Sequence, residues 1–287
     1  MADRWFGEPA RGGFEQRIEL RGRLWAGQSA YQRVEILDTV PFGRALVLDG
    51  AIQTTEADEF CYHELLVHVP MLAHPRPRRV LVIGGGDGSC LRHVLLHDVE
   101  RAIQVEIDEL VLRACREWLP TLADGAFADV RASLVVGDGV AFLRDADELF
   151  DVILVDSTDP VGPAAELISE AFFQLAAAAL SANGILAIQS GSPLLMADEL
   201  RLAAARIGSV FPIAATYLGH VPAYPGVLWS YTIGSKQVDP REPRRPAPPG
   251  TRYYTAELHR AAFALPAYLQ ALGSGRFDPA VVAPLRG

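Results

Sequence analysis

The chain has 287 residues, 50% of them hydrophobic, so it can bury one large core or a large core with a small accessory domain. Its formal net charge of −9 weighs against a nucleic-acid surface and suits a cationic substrate, although many cytoplasmic enzymes are mildly acidic. No apolar run approaches the roughly 20 residues that span a bilayer, no signal-peptide pattern is present and the three cysteines lack metal-ligand spacing, so we expect a cytoplasmic protein with no membrane or nucleic-acid partner.

The first 55 residues predict a small β-stranded domain. Short, partly alternating runs such as QRVEILDT and AIQTT are separated by turn formers, among them Asp49-Gly50. FEQRIEL and GRLWAG are two further runs of this kind. A helical pattern follows over residues 58–74. We therefore predict a β domain at 1–55 and a catalytic domain at 56–287.

From residue 78 onward, apolar runs alternate with helical stretches. Strands that are apolar on both faces and are each followed by a helix predict a parallel sheet covered on both sides, that is, an α/β fold. The Pro- and Arg-rich residues 239–250 predict a surface loop with a solvated Arg cluster, and residues 255–272 predict a last helix. The five apolar runs are RRVLVIGGG, AIQVEID, VRASLVVGD, FDVILVDS and GILAIQS.

The first of these strands ends in a glycine-rich turn that predicts a nucleoside site. Gly84, Gly86 and Gly88 form a G-x-G-x-G pattern, which is associated with adenosyl-sulfonium ligands more than with dinucleotides. Glycines let the backbone approach a ligand, and the start of the following helix offers free N–H groups. A turn that serves only the fold is the alternative interpretation.

An acidic residue stands at the end of each of the first four strands. Such residues border the crevice where doubly wound sheets bind ligands. Glu106, about 20 residues past the glycines, is placed to accept hydrogen bonds from a ribose diol, and Asp138-Gly139 is placed to receive an adenine amino group. One such acid is commonplace, but four are difficult to explain by solvation alone, so we expect a nucleoside ligand. The four acids are Asp87, Glu106, Asp138 and Asp156.

The fourth strand ends in Asp156-Ser157-Thr158-Asp159, which places two carboxylates three residues apart on one turn. A helix N-cap beside a turn Asp is the structural alternative, but the neighbouring acids favour a site for an ammonium group. A primary ammonium has a pKa of roughly 10.4 and cannot attack until it loses a proton. We therefore predict Asp156 as the general base and Asp159 as the residue that holds the amine. The freed amine then displaces a thioether from a sulfonium, without a metal or a covalent enzyme intermediate.

Longer strings give the chain a nearly end-to-end resemblance to the spermidine synthases, which are polyamine aminopropyltransferases. The strings are SAYQ, LVLDGAIQTTEADEF, VLVIGGGDGS, VDSTDPVGPA, VPAYP and YYTAELHRAAFALP. The resemblance implies a small N-terminal β domain on a methyltransferase-like, doubly wound (Rossmann-type) α/β domain. It also implies decarboxylated S-adenosylmethionine as co-substrate with no prosthetic group, and putrescine as the usual acceptor. The products are then spermidine and methylthioadenosine, and the usual assembly is a homodimer or homotetramer.

Position by position, the resemblance implies two sets of binding residues, with Asp156 as the catalytic acid–base residue. If Asp87 faces the donor's amine, its charge repels the carboxylate of intact S-adenosylmethionine, and a preference for the decarboxylated donor follows. The donor set is Gln32, Asp87, Glu106, Asp138, Gly139 and Pro163. The acceptor set is Tyr62, His63, Asp87, Asp156, Ser157, Thr158, Asp159, Gln189 and Tyr224.

The chain departs from the usual family pattern at the far end of the acceptor pocket. Ser190-Gly191-Ser192-Pro193 follows Gln189, where many members have an acidic residue nearby, and Tyr224-Pro225-Gly226-Val227 differs from the commoner Tyr-Pro-Ser-Gly. Agmatine, cadaverine and spermidine are therefore alternative acceptors. A class I S-adenosylmethionine-dependent methyltransferase, which would share the glycine turn and Glu106, is an alternative function, as is a non-catalytic polyamine-binding protein.

Overall fold

The computed structural model describes residues 4–159 and 162–270, except for the side chain of Pro163. Within these residues an antiparallel sheet forms the N-terminal part, and each of its strands pairs with the next along the chain. Its second strand is continuous where two runs were predicted, since register shifts near Gly22 absorb the interruption. The strands are β1 (Trp5–Pro9), β2 (Glu15–Gln28), β3 (Arg33–Thr39), β4 (Gly43–Leu48) and β5 (Ala51–Thr55).

A larger sheet forms the centre of the molecule. Its strands are β6 (Arg79–Gly84), β7 (Arg101–Glu106), β8 (Ala132–Val136), β9 (Phe150–Asp156), β10 (Leu180–Gln189), β11 (Ile213–His220) and β12 (Leu228–Ser235). They lie in the order β11-β12-β10-β9-β6-β7-β8, and β6 to β10 are parallel. The chain proceeds outward in one direction through β7 and β8 and in the other through β9 and β10. The strand order therefore reverses between β6 and β9, where doubly wound sheets bind ligands.

Helices cover both faces of this sheet. The helices of the described residues are α1 (Glu59–Ala73), α2 (Ser89–Leu95), α3 (Glu109–Trp118), α4 (Pro120–Ala123), α5 (Gly139–Asp145), α6 (Glu170–Ala179), α7 (Ala197–Val210), α8 (Ala256–Ala262) and α9 (Ala267–Gln270). Short 3-10 turns occupy Arg11–Gly13, Ala126–Ala128 and Gly162–Ile168. No helix of the described part of the chain is both long and apolar enough to cross a membrane.

The side chains of each central strand alternate between two apolar cores. On β6, Val80 and Val82 pack with α1 and α2, whereas Leu81 and Ile83 pack with α5 and α6. The first core also contains Leu37 and Val47 of the N-terminal sheet, and nearly every residue of α1 is buried. This helix therefore lies between the two sheets and fixes the side chains of its first turns at the crevice.

The predicted doubly wound α/β fold with a small N-terminal β domain is confirmed. Three details differ from expectation. The antiparallel strands β11 and β12 were not predicted, and the single helix predicted from residue 255 is wrong, because it is interrupted before Pro266 and its predicted last residues lie outside the described residues. The Arg cluster of residues 239–250 is not wholly solvated, since Arg245 donates to the carbonyls of Met71 and His74 at the end of α1.

Candidate active site

The carboxyl ends of β6, β7, β8 and β9 open into a cavity of about 540 Å³. Backbone contact between two of these strands forms one wall: the Gly85 N–H donates to the Asp156 carbonyl over 2.8 Å. Gly84 has a φ of +87°, and a Cβ there would overlap the same carbonyl oxygen, so only glycine fits. Leu46 and Leu48 of the N-terminal sheet also line the cavity. The cavity, which we call the donor cavity, is thus built from both domains.

Glu106 ends β7 and faces the glycine-rich turn. Its Oε1 accepts the backbone N–H of Asp108 over 2.8 Å, and a Cβ on Gly86 would come within 3.0 Å of its Oε2. Burial raises the pKa of Glu106 to about 7, although the Asp108 N–H opposes the rise. Gly86 therefore leaves room for a ligand beside a carboxylate that ionises near neutral pH.

Gln32 and Asp138 lie at two further positions around the donor cavity. Gln32 Nε2 donates to Asp108 Oδ2 over 3.0 Å, and the Ser29 hydroxyl donates to the same oxygen over 2.7 Å, so the loop before β3 is joined to the start of α3. Asp138 caps α5, since its Oδ1 accepts a backbone N–H over 2.8 Å. Asp138 itself is exposed, and Gly139 lines the cavity beside it. Asp138 and Gly139 are therefore accessible to a ligand in the cavity.

Asp156 carries a buried polar atom that lacks a hydrogen-bond partner among the described residues. Its Oδ1 accepts the Tyr62 hydroxyl over 2.9 Å, whereas its Oδ2 is buried with no hydrogen-bond partner among the described residues. Burying a carboxylate oxygen without a donor is costly, so native structures rarely retain one unless a ligand or water supplies the donor. The geometry therefore points to a donor group that comes from a substrate.

His63 lies among three carboxylates. Its Nε2 is 3.6 Å from Asp156 Oδ2 and 3.8 Å from Asp87 Oδ2, and its Nδ1 is 3.2 Å from Glu59 Oε2. Burial lowers the pKa of His63, but Asp87, Asp156 and Glu59 outweigh burial and raise it well above its usual range. Burial raises the pKa of Asp87 to about 6, with His63 opposing the rise and Asp156 adding to it. The imidazolium thus offsets repulsion between two carboxylates that face one volume.

A second cavity of about 260 Å³ adjoins the first and combines aromatic rings with carboxylates. We call it the acceptor cavity. The Tyr62 and Tyr224 ring centroids are 5.8 Å apart, and the Tyr224 and Trp229 centroids are 4.7 Å apart. Asp159 lines both cavities, and burial, with the nearby charge of Glu199, raises its pKa. Rings beside carboxylates suit the methylenes and the positive ends of an alkylamine.

Gln189 lines the acceptor cavity, but its amide is engaged with the backbone. Its Nε2 donates to the Ser157 carbonyl over 3.2 Å, and its Oε1 accepts the Gly191 N–H over 2.9 Å. The side chain therefore holds the turn that carries Asp159 and leaves little hydrogen-bonding capacity for an amine. A positioning role fits this geometry better than the direct contact that the family pattern implies.

The structure brings the predicted site residues together around the two cavities. Only Pro163 is left aside, because its side chain lies outside the described residues. The donor cavity is lined by Gln32, Tyr62, His63, Asp87, Glu106, Asp138, Gly139, Asp156, Ser157, Thr158, Asp159 and Tyr224. The acceptor cavity is lined by Tyr62, Ser157, Thr158, Asp159, Gln189 and Tyr224.

Sequence reasoning missed four polar residues that also line the acceptor cavity: Glu8 on β1, Arg11 in the turn after β1, Gln53 on β5 and Glu199 on α7. Glu8 is buried, and burial raises its pKa to about 7 against a hydrogen bond from Gln16. An acid on the same strand face as buried Phe6 was a usable signal for an inward carboxylate. Glu199 gives no such signal, because an acid in the first turn of a helix is ordinary.

Known proteins resemble this chain over nearly its whole length. The family model described as "Spermine/spermidine synthase domain" matches residues 59–242, and the model described as "Spermidine synthase tetramerisation domain" matches residues 4–56. The polyamine aminopropyltransferase of Desulforudis audaxviator is 45% identical over 268 residues, which are 92% of this chain and 97% of that protein.

Two solved structures share the fold. One is a crystal structure of a spermidine synthase in complex with the transition-state analogue AdoDATO; its TM-score is 0.91, with 40% identity and 96% of each chain covered. The other is the spermidine synthase from Thermotoga maritima, with a TM-score of 0.88 and 38% identity over 96% of this chain and 95% of that one. The similarity includes the N-terminal sheet as well as the central one.

Proposed function

Because this chain belongs to the spermine/spermidine synthase family, we propose that it moves the aminopropyl group of decarboxylated S-adenosylmethionine onto putrescine, which gives spermidine and methylthioadenosine. The chain is an enzyme of the polyamine aminopropyltransferase class. The observation that carries the choice of substrates is Asp156 Oδ2, a buried carboxylate oxygen that accepts no hydrogen bond from the described residues. It lies beside His63 where the donor cavity adjoins the acidic, aromatic acceptor cavity.

The donor cavity fits an adenosyl sulfonium. Glu106 accepts hydrogen bonds from the ribose hydroxyls, and Asp138 with Gly139 receives the adenine amino group at the end of β8. Asp87 lies deeper, near the reacting end, where it attracts the terminal ammonium of the aminopropyl group. The complex of a similar spermidine synthase with the transition-state analogue AdoDATO supports this assignment.

Asp156 accepts the proton that the attacking amine must lose. The amine N–H proton moves to Asp156 Oδ2, and the freed nitrogen lone pair forms a C–N bond to the methylene beside the sulfonium. The C–S bond breaks and its electron pair stays on sulfur, which leaves a neutral thioether. The Tyr62 hydroxyl fixes the carboxylate through Oδ1, at 2.9 Å. General-base help of this kind typically contributes roughly 10²–10⁴ in rate, and positioning the two substrates contributes further.

The acceptor cavity holds the rest of the diamine. The methylenes of the diamine pack against the rings of Tyr62, Tyr224 and Trp229. The ammonium at the far end of the diamine faces Asp159 and Glu8. Glu8 is poised to ionise when a cation arrives, because a neighbouring positive charge lowers a carboxyl pKa that burial has raised to about 7. This charge pairing favours a diamine over a neutral or anionic acceptor.

We also propose that the protein is a homotetramer, built through the N-terminal sheet that the tetramerisation-domain model matches. Trp5 and Phe14 of that region are 48% and 41% exposed, and large apolar side chains at the surface fit a face that another copy covers. Native mass spectrometry measures the assembly directly, and a monomer or a dimer under those conditions refutes a tetramer. The cytoplasmic location stays a prediction.

A set of parallel incubations tests which donor and which acceptor the enzyme uses. The enzyme is supplied with either decarboxylated or intact S-adenosylmethionine, together with putrescine, cadaverine, agmatine or spermidine, and products are identified by mass. We expect spermidine and methylthioadenosine from the decarboxylated donor and putrescine. A methylated amine formed from the intact donor would contradict the proposed aminopropyl transfer and would indicate a methyltransferase. Preferred turnover of another amine corrects the acceptor alone.

A further inference from the structure

An ion pair between the two domains lies at the acceptor cavity. Arg11 follows β1 in the 3-10 turn Arg11–Gly13, and its guanidinium contacts Glu199 Oε1 in the first turn of α7. The Arg11 side chain is 62% exposed, whereas that of Glu199 is 16% exposed. Both residues line the cavity. The pair therefore reaches from solvent to the interior, and Arg11 contributes one positive charge to an otherwise acidic wall.

The charges around this pair are unbalanced. Glu8, Asp159 and Glu199 line the same cavity, against the guanidinium of Arg11. After burial, the charge of Glu199 raises the pKa of Asp159 and that of Arg11 lowers it, so the two side chains lie within electrostatic reach of Asp159. Glu199 Oε2 is buried and has no hydrogen-bond partner among the described residues. One oxygen of Glu199 is thus neutralised by Arg11, and the other retains its capacity to accept a hydrogen bond.

We propose that Arg11 is a specificity-determining residue that restricts the acceptor to amines with a single distal ammonium. The inference rests on the proposed aminopropyl transfer. A diamine places one ammonium at Asp156 and one near Asp159 and Glu8. A triamine such as spermidine carries another cation, which must lie beside the guanidinium or displace it from Glu199. Like charges placed side by side disfavour the longer substrate. Arg11 therefore occupies the place of a third ammonium.

The test compares acceptors in matched arginine variants. Values of kcat/KM with the decarboxylated donor are measured for putrescine and for spermidine in the wild type, Arg11→Ala and Arg17→Ala. Arg17 is a matched control because its side chain is 66% exposed, pairs with Glu15 and does not line the cavity. We expect the spermidine-to-putrescine ratio to rise about tenfold or more in Arg11→Ala and to stay at the wild-type value in Arg17→Ala.

A double variant separates charge from space. Arg11→Ala with Glu199→Gln enlarges the cavity equally but removes the carboxylate that would bind the third ammonium, so we expect the ratio to fall back toward the wild-type value. An unchanged ratio in Arg11→Ala, a rise also in Arg17→Ala, or a rise that survives in the double variant overturns the inference. Failure of the proposed function looks different, because the wild type and Arg17→Ala then transfer no aminopropyl group to putrescine.

Discussion

Asp156 Oδ2, which accepts no hydrogen bond from the described residues, allows a sharp test of the chemistry through the variant Asp156→Asn. The amide is nearly isosteric and can keep the hydrogen bond to the Tyr62 hydroxyl, which spans 2.9 Å in the wild type. The amide nitrogen cannot accept a proton, and the amide oxygen is far too weak a base to do so. The variant should therefore retain the shape of both cavities and lose the proton acceptor.

The magnitude follows from two separate effects. Loss of a general base lowers kcat by roughly 10²–10⁴, equivalent to about 3–5.5 kcal/mol in the activation barrier. The free energy of unfolding changes less than the activation barrier does, because the substitution has opposing electrostatic effects on the folded state. The attraction between Asp156 and His63 over 3.6 Å, about 4–5 kcal/mol at an effective dielectric constant near 20, is lost, while repulsion from Asp87 and the cost of burying a charge are also removed.

Single-turnover kinetics with decarboxylated donor and putrescine measure the chemical step, and the formation of methylthioadenosine in quenched samples is the readout. Asp145→Asn is the matched control, since Asp145 is an exposed residue at the end of α5 and does not line either cavity. Donor-dependent thermal stabilisation shows whether each variant still binds the donor. If Asp156→Asn binds the donor and turns over within about tenfold of the control, Asp156 is not the base and the reasoning from its Oδ2 is wrong.

Three further changes test other parts of the site. Donor affinity should rise with pH as Glu106 ionises near its pKa of about 7. Glu106→Gln should remove this part of the rise, leave the part due to Asp87, whose pKa is about 6, and weaken binding by about 1.5–3 kcal/mol. Calorimetric titrations across pH check both effects. The raised pKa of Glu106 also makes the stability of the ligand-free fold depend on pH. Its contribution to stability is fully present below the unfolded pKa near 4.5 and is lost as pH rises through about 7. The melting temperature of Glu106→Gln should therefore change less between these two pH values than that of the wild type. Asp87→Asn should narrow the preference for decarboxylated over intact donor, measured as the ratio of the two dissociation constants. Gly84→Ala should destabilise the fold by about 3 kcal/mol or more in urea unfolding, since it combines a positive φ with overlap of a backbone oxygen, whereas Gly208→Ala, which meets nothing within 4 Å, should not.

Each of these expectations has an outcome that contradicts it. Donor binding that is flat with pH in the wild type removes Glu106 from contact with the ribose. Parallel melting curves for the wild type and Glu106→Gln between pH 4.5 and 7 refute the raised pKa. An unchanged donor ratio in Asp87→Asn refutes the repulsion argument, and a Gly84→Ala protein as stable as Gly208→Ala refutes the steric one.

The parts of the site that the sequence predicted are those set by local chain geometry. Gly84, Glu106 and Asp156 end adjacent parallel strands, and the carboxyl ends of such strands meet at one edge of a sheet. Their proximity therefore follows once the strand and helix pattern is recognised. The structure adds why glycine is required at position 84, where the backbones of β6 and β9 approach too closely for a Cβ.

The parts that could not be predicted depend on packing between distant segments. Glu8 and Glu199 meet in one cavity although they are far apart in the chain, and neither belongs to a motif. Gln189 was expected to face the amine, and only the structure shows that its amide bonds to the Ser157 carbonyl. The strand Leu228–Ser235 was missed because its buried Ser and Thr residues interrupt the apolar pattern. Such residues can be buried when they have hydrogen-bond partners, as Thr232 does in the hydroxyl of Ser190.

Residues of both domains line the donor and acceptor cavities, and this has a consequence for how the enzyme can evolve or be engineered. Leu46 and Leu48 of the N-terminal sheet line the donor cavity, and Gln53 of the same sheet lines the acceptor cavity. A central domain expressed alone would keep the glycine turn and Asp156 but would present them in an open trough. In the mechanism proposed above, water would then hydrate the ammonium from which Asp156 must take a proton. Separation of the two parts by gene fusion or recombination is thus expected to yield an inactive protein, because the N-terminal sheet also contributes Leu37 and Val47 to the core around α1.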